Sequence, residues 1–242
     1  MFSLSRWCAA TIILVSTMAP VCAQETKSES TILSEWKHTA RQTAVGNQLI
    51  QILNSANGIL ARTPKHKQSL YMRGYLLGVV GCTGSAIMDL TKAIEADPSY
   101  AAAYTERAIC YMDLKQFDKA KVDLDRAVLL NPRSGDARFA RGKVLLEMNR
   151  PNQAVSDLSA CTTLAFSPAL PGELPANFYG APEYYLGACY EAMEHHDTAL
   201  KYYKSSIKAP RLGGSGYIHR YSDQPLDAKY RVALYEGSSH QN

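Results

Sequence analysis

The sequence has no Cys-x-x-Cys pair, no long run of Lys and Arg, and no second long apolar run after the one at its start. The first absence removes support for a zinc site or a thioredoxin-like redox centre, which need closely spaced thiols. The second, with a formal net charge of only +4 over 242 residues, argues against nucleic acid, whose phosphates select a basic face. The third leaves no apolar span in the body of the chain. Also missing is a strand pattern ahead of the most glycine-dense stretch, "LLGVVGCTGSA" from Leu76 to Ala86. A phosphate-cradling loop needs that strand, and usually Lys with Ser or Thr after its last glycine. Here Ser85 and Ala86 follow Gly84.

What is present begins with a targeting segment. "MFSLSR" carries one positive charge, Arg6, and "WCAATIILVSTMAP" is an apolar core of suitable length. Val21 and Ala23 are the small residues before a cut after Ala23, so residues 1–23 read as a signal peptide and 24–32 as a polar linker. Lipid attachment at Cys22 is disfavoured by Val21, because such sites want Gly, Ala or Ser before the cysteine. Loss of Arg6 leaves a mature charge of +3. Cleavage at this site predicts an exported chain, periplasmic or secreted and of bacterial type, with no integral span remaining. Four cysteines stay behind, Cys82, Cys110, Cys161 and Cys189. In an exported chain they permit two disulfides in three pairings. Each also suits a small buried position as a free thiol.

The chain repeats itself. Pro64, Pro98 and Pro132 fall 34 residues apart, and each closes a helix-like run. Ala86, Ala120 and Ala154 keep the same interval, as do Leu90, Leu124 and Leu158. Gly74, Ala108 and Gly142 are in phase and small. Small residues let two helices approach, and large ones fill the seams between pairs. One pair cannot bury its own face, so several must stack.

A 34-residue period with fixed small positions and a closing proline resembles the tetratricopeptide family. Ala101 to Pro132 carries the resemblance best, with Tyr104, Ala108, Tyr111, Ala120, Leu124, Ala127 and Pro132 in register. Arg107 departs from the usual leucine. The resemblance implies an all-α, right-handed solenoid of helix-turn-helix repeats. Residues 33–66 form a degenerate repeat, 67–168 three contiguous repeats, 169–179 an inserted loop and 180–213 a last repeat. Residues 214–242 hold a capping helix and a tail. In this register Gly81 falls on the turn between two helices, which answers for the glycine-dense stretch.

The family's first helices line a concave groove that holds an extended peptide or a partner helix. Carried over by register, the groove positions are Lys37, Arg41, Tyr71, Tyr75, Thr105, Ile109, Met112 and Asp113, then Phe139, Lys143, Leu146, Glu147, Tyr184 and Glu191. Some members clamp a C-terminal carboxylate with Lys, Asn and Arg. Here Met72 and Glu106 occupy two of those positions, so that clamp is not assembled. The neighbouring-helix arrangement implies Cys161 with Cys189 as the pair to bridge, should one form. His195-His196 and Lys65-His66-Lys67 read as solvated turns, and no catalytic or metal-ligating set converges. The stretch from Ser167 to Pro182 that holds the insert, with Pro168, Pro171 and Pro175, is either a second binding surface or a tolerated insertion. The expectation is a non-enzymatic, cofactor-free adaptor for a protein partner, small-molecule substrates being disfavoured. The alternative is an accessory or regulatory subunit of an envelope enzyme or of an export or assembly complex.

Overall fold

The computed structural model describes residues 31, 33–35, 37, 44–164, 181–208 and 224–238. The signal segment, Arg41 and the inserted loop 169–179 lie outside the described residues. Residues 31, 33–35 and 37 are helical. Ten further helices follow: α1 (Ala44–Arg62), α2 (Lys67–Val80), α3 (Thr83–Ala96), α4 (Ala101–Asp113), α5 (Phe117–Leu130), α6 (Gly135–Glu147), α7 (Pro151–Leu164), α8 (Ala181–Ala192), α9 (His196–Lys208) and α10 (Gln224–Ser238). The described residues contain no strand. They fall into two compact units, one ending at Lys115 and holding α1–α4, the other holding α5–α10.

The helix boundaries follow from local chemistry. At the ends of α3 and α5 the residues before Pro98 and Pro132 leave helical geometry, Asp97 being extended and Asn131 standing at φ −136°, ψ 87°. Their side chains then accept from the backbone N–H two residues on, Ser99 to Asp97 at 2.9 Å and Arg133 to Asn131 at 3.2 Å. Ser134 opens α6 by accepting from the Ala137 N–H at 3.3 Å. Between α2 and α3 the chain turns at Gly81, whose φ of 91° is the left-handed region. The Cys82 N–H returns to the Leu77 carbonyl at 2.8 Å and closes the helix end. This is the expected turn in "LLGVVGCTGSA". Lys115, Asn149 and Glu194 hold the equivalent turns at φ 55°, 57° and 64°, so only the first of these turns has the residue that adopts this geometry freely.

In the first unit, α2 packs on α1 and α3, and α3 on α4. Leu53, Leu60, Leu70, Leu76, Leu90 and Cys110 form its core. In the second, α6 and α7 pair, as do α8 and α9, and α10 covers α9. Phe139, Leu158, Leu186 and Cys189 fill one cluster there, and Ala199, Tyr203 and Ala228 another. Each fully buried leucine contributes about 1.5–3 kcal/mol. The pairs are close because their contact positions are small. A Cβ placed on Gly142 would stand 2.7 Å from the Leu158 Cγ, and one on Gly187 2.7 Å from the Tyr203 ring.

Candidate protein-binding face

In the first unit the groove register falls on α2 and α4, which lie side by side. Tyr71 is buried, and its ring stacks on Tyr75 at 6.4 Å and meets Tyr100 at 5.1 Å. Tyr75 and Met112 are half-buried and present their edges to solvent, whereas Ile109 and Thr105 are buried beneath. The Lys67 ammonium lies 5.8 Å from the Tyr100 ring centroid and pairs with Asp97. Hydrogen bonds from Lys67 and then from Ser99 hold the Asp97 carboxyl down at about 2. Burial pushes the Tyr100 hydroxyl up to about 12, with the Asp97 charge adding to it. The result is an aromatic wall with its charges already paired.

In the second unit α6 lies beside α8. Phe139 has no exposed surface. It lies beneath the groove face as support, because the Tyr185 ring closes over it edge-on at 5.4 Å. The Lys143 ammonium sits 5.2 Å from the Tyr185 ring centroid. Leu146 and Tyr184 are half-buried. Glu191 gathers three donors: the Tyr203 hydroxyl at 2.6 Å, the Arg231 guanidinium at 2.8 and 2.9 Å, and the Tyr235 hydroxyl at 3.0 Å. Tyr203 is fully buried, and burial, reinforced by Glu191, pushes its hydroxyl well above the usual tyrosine range. The capping helix is thus pinned to a groove position.

Residues 101–134 match the family model of the tetratricopeptide repeat. Residues 101–134 form a tetratricopeptide repeat. Human tetratricopeptide repeat protein 28 is 35% identical over 72 residues, which is 30% of this chain and 3% of that protein's length. Among solved structures, a thermophilic tetratricopeptide protein of Thermus thermophilus superposes with a TM-score of 0.55. It is 17% identical, over 86% of this chain and 99% of its own. YrrB, a tetratricopeptide protein with an unusual peptide-binding site, gives a TM-score of 0.55 at 20% identity, over 84% of this chain and 98% of its own.

Within that tetratricopeptide frame, the arginine that stands in place of leucine has a partner set of its own. Arg73, Arg107 and Arg141 recur at 34 residues, and so do Asp89, Asp123 and Asp157. Arg73 grips Asp89 through two bonds of 2.6 and 2.8 Å and reaches back to Asn57 at 2.9 Å. Arg141 grips Asp157 at 2.6 and 2.9 Å and reaches back to Asp125 at 3.1 Å. Arg107 reaches back to Thr91 at 3.0 Å. The Asp157 hydrogen bonds, ahead of any other cause, hold the Arg141 guanidinium above its usual range. Arg73 and Arg141 therefore tie the two helices of one repeat to the last helix of the repeat before, and Arg107 makes the same backward link. The 34-residue recurrence of Arg and Asp was the signal for these residues, and a search confined to small and apolar positions passes over it.

The structure revises other expectations. Cys161 and Cys189 are buried free thiols, as are Cys82 and Cys110, and the Cys161–Cys189 bridge is not formed. Both occupy small-residue sites between helices, and the Cys161 thiol donates to the Gly135 carbonyl at 3.5 Å. Burial pushes the Cys189 thiol up to about 12, and the Cys161 thiol higher still with Asp157 adding to it. Tyr71, Ile109 and Phe139 belong to the support beneath the groove face and not to its surface. Lys37 is half-buried on its helix. No group of three or more His, Cys, Asp or Glu is placed to hold a metal among the described residues. None of the described helices is long and apolar enough to cross a membrane.

Proposed function

We propose that this chain is an exported, non-enzymatic adaptor that holds a peptide or helix of a partner protein against the groove faces of its first helices. The observation that carries the reading is the layering of those faces. Tyr75, Met112, Leu146 and Tyr184 stay half-exposed at groove positions, and Tyr71, Ile109 and Phe139 are packed rigidly under them. Aromatic and aliphatic anchors on a rigid bed lose little entropy on binding and contribute most of an interface's energy. The peptide-binding site of YrrB, which shares this fold, is consistent with that use. Export rests on the N-terminal segment, Arg6 followed by the apolar run and Ala23.

The test is affinity capture of residues 24–242 from the envelope fraction, beside the Tyr75→Glu, Leu146→Glu double variant. Both side chains are half-buried and pack on the cores of their units, so the variant is compared only after its melting transition shows that it is folded. It loses the partner by about 2 kcal/mol or more, roughly 30-fold in affinity. A partner retained by a folded variant contradicts the proposal.

A further inference from the structure

Glu191 stands at a groove position of α8, and the group bound to it is an arginine from the chain's own last helix. We infer that the groove face of α8 is a receptor for an arginine-bearing helix, and that α10 is its resident, exchangeable occupant. The inference deepens the groove reading and rests on it.

The character of the seat supports exchange. Between Ala228 and Glu236 the only fully buried residue of α10 is Ala228. Arg231, Val232 and Tyr235 are half-buried, and Tyr230 and Leu234 are exposed. In that span α10 lays Val232 and Tyr235, partly buried, against the Ala199, Tyr203 and Ala228 cluster, and sends no large side chain fully into the core as α9 does with Tyr203. The specific part of its recognition is polar and geometric. Arg231 meets both oxygens of Glu191. One turn on, Tyr235 donates to Glu191 and lies 3.3 Å from the His196 ring nitrogen. Lys204 and Glu236 add an exposed ion pair at 2.8 Å, which contributes little. The seat thus reads an arginine and a tyrosine four residues apart on one helical face, against a carboxylate already bonded to the Tyr203 hydroxyl. A partner helix with Arg and an aromatic at that spacing meets the same donors and acceptors and displaces α10.

The probe is a labelled peptide of residues 224–238, titrated by anisotropy into the full chain and into its Arg231→Glu variant. A resident helix occupying its seat most of the time weakens the apparent affinity for a competitor by about tenfold or more. The variant, whose own α10 is repelled by Glu191, is expected to bind the peptide at least about tenfold more tightly than the wild type. A peptide carrying the same Arg231→Glu change is expected to bind neither. Equal affinity for wild type and variant, or no binding to either, overturns the inference. Should the variant fail to fold, native-state hydrogen exchange on the wild type decides. Faster exchange in α10 than in α8 and α9 supports a detachable helix, and equal protection overturns it. If Leu146→Glu abolishes partner capture while the peptide binds nothing, the inference falls and the groove reading stands. If the peptide binds as expected and the groove variant still holds its partner, the groove reading falls.

Discussion

Replacing Arg141 by leucine restores the residue usual at that position of the repeat, yet the structure predicts a loss. The change deletes bonds of 2.6 and 2.9 Å to Asp157 and one of 3.1 Å to Asp125. Asp125 is substantially exposed and turns to water, or to Lys121 at 2.7 Å. Asp157 is only 3% exposed and cannot. Removing one member of a buried pair costs about 3–5 kcal/mol when the other is left with nothing. Here the Arg138 guanidinium still reaches Asp157 at 3.0 Å, and the new leucine gains some apolar burial. The expected cost of Arg141→Leu is therefore lower, about 2–3 kcal/mol. For a chain of this size that is a fall in Tm of roughly 4–12 °C. Urea and thermal unfolding read it. Adding Asp157→Leu removes the stranded carboxylate and recovers most of the loss, because an apolar replacement of both partners is close to neutral. The double-mutant cycle should then give a coupling of about 2 kcal/mol or more. A single variant within about 0.5 kcal/mol of wild type would refute the reasoning, placing Arg141 among surface charges of no consequence.

Two glycine substitutions should move stability in opposite directions. Gly142→Ala drives a methyl into Leu158, which is fully buried, and costs about 1–3 kcal/mol. Gly58→Ala meets nothing within 4 Å on the exposed side of α1 and gains about 0.5–1 kcal/mol. Equal shifts in Tm would mean that the helix-pair contact is misplaced. The thiols give a pH signature. The folded state raises the Cys189 thiol to about 12, above the roughly 8.5 of a free cysteine. Its contribution is therefore full below about pH 8.5 and is lost as the pH rises toward 12. At pH 8 all four thiols of residues 24–242 should resist a thiol reagent until the chain unfolds. Fewer than four in denatured, unreduced protein would contradict the free-thiol arrangement.

The fold was legible because its rules are local and periodic. Gly74, Gly142 and Gly187 announce close helix contacts, and Pro98 and Pro132 announce stops, each through backbone or steric constraint alone. Gly81 was readable as a turn for the same reason, whereas Lys115, Asn149 and Glu194 share its geometry without its residue. The site was less legible. Register alone puts Tyr71 and Phe139 on the groove face, but their burial depends on Tyr100 and Tyr185 closing over them, contacts that no single helix encodes. The arginine bridges were visible as a recurrence and needed three dimensions to acquire partners. Glu191 was placed at the groove by register, and its occupant, Arg231, lies 40 residues on.

The claim that the groove faces carry the binding is tested most directly by site-specific photocrosslinking. A photoreactive residue at Leu146, half-buried on the groove face of α6, is compared with one at Val122, 69% exposed on α5. Both are irradiated in the native cell. A discrete crosslinked partner at position 146, absent at 122, is the predicted result. A partner captured at 122 and none at 146 would move the binding surface off the groove face and contradict the account.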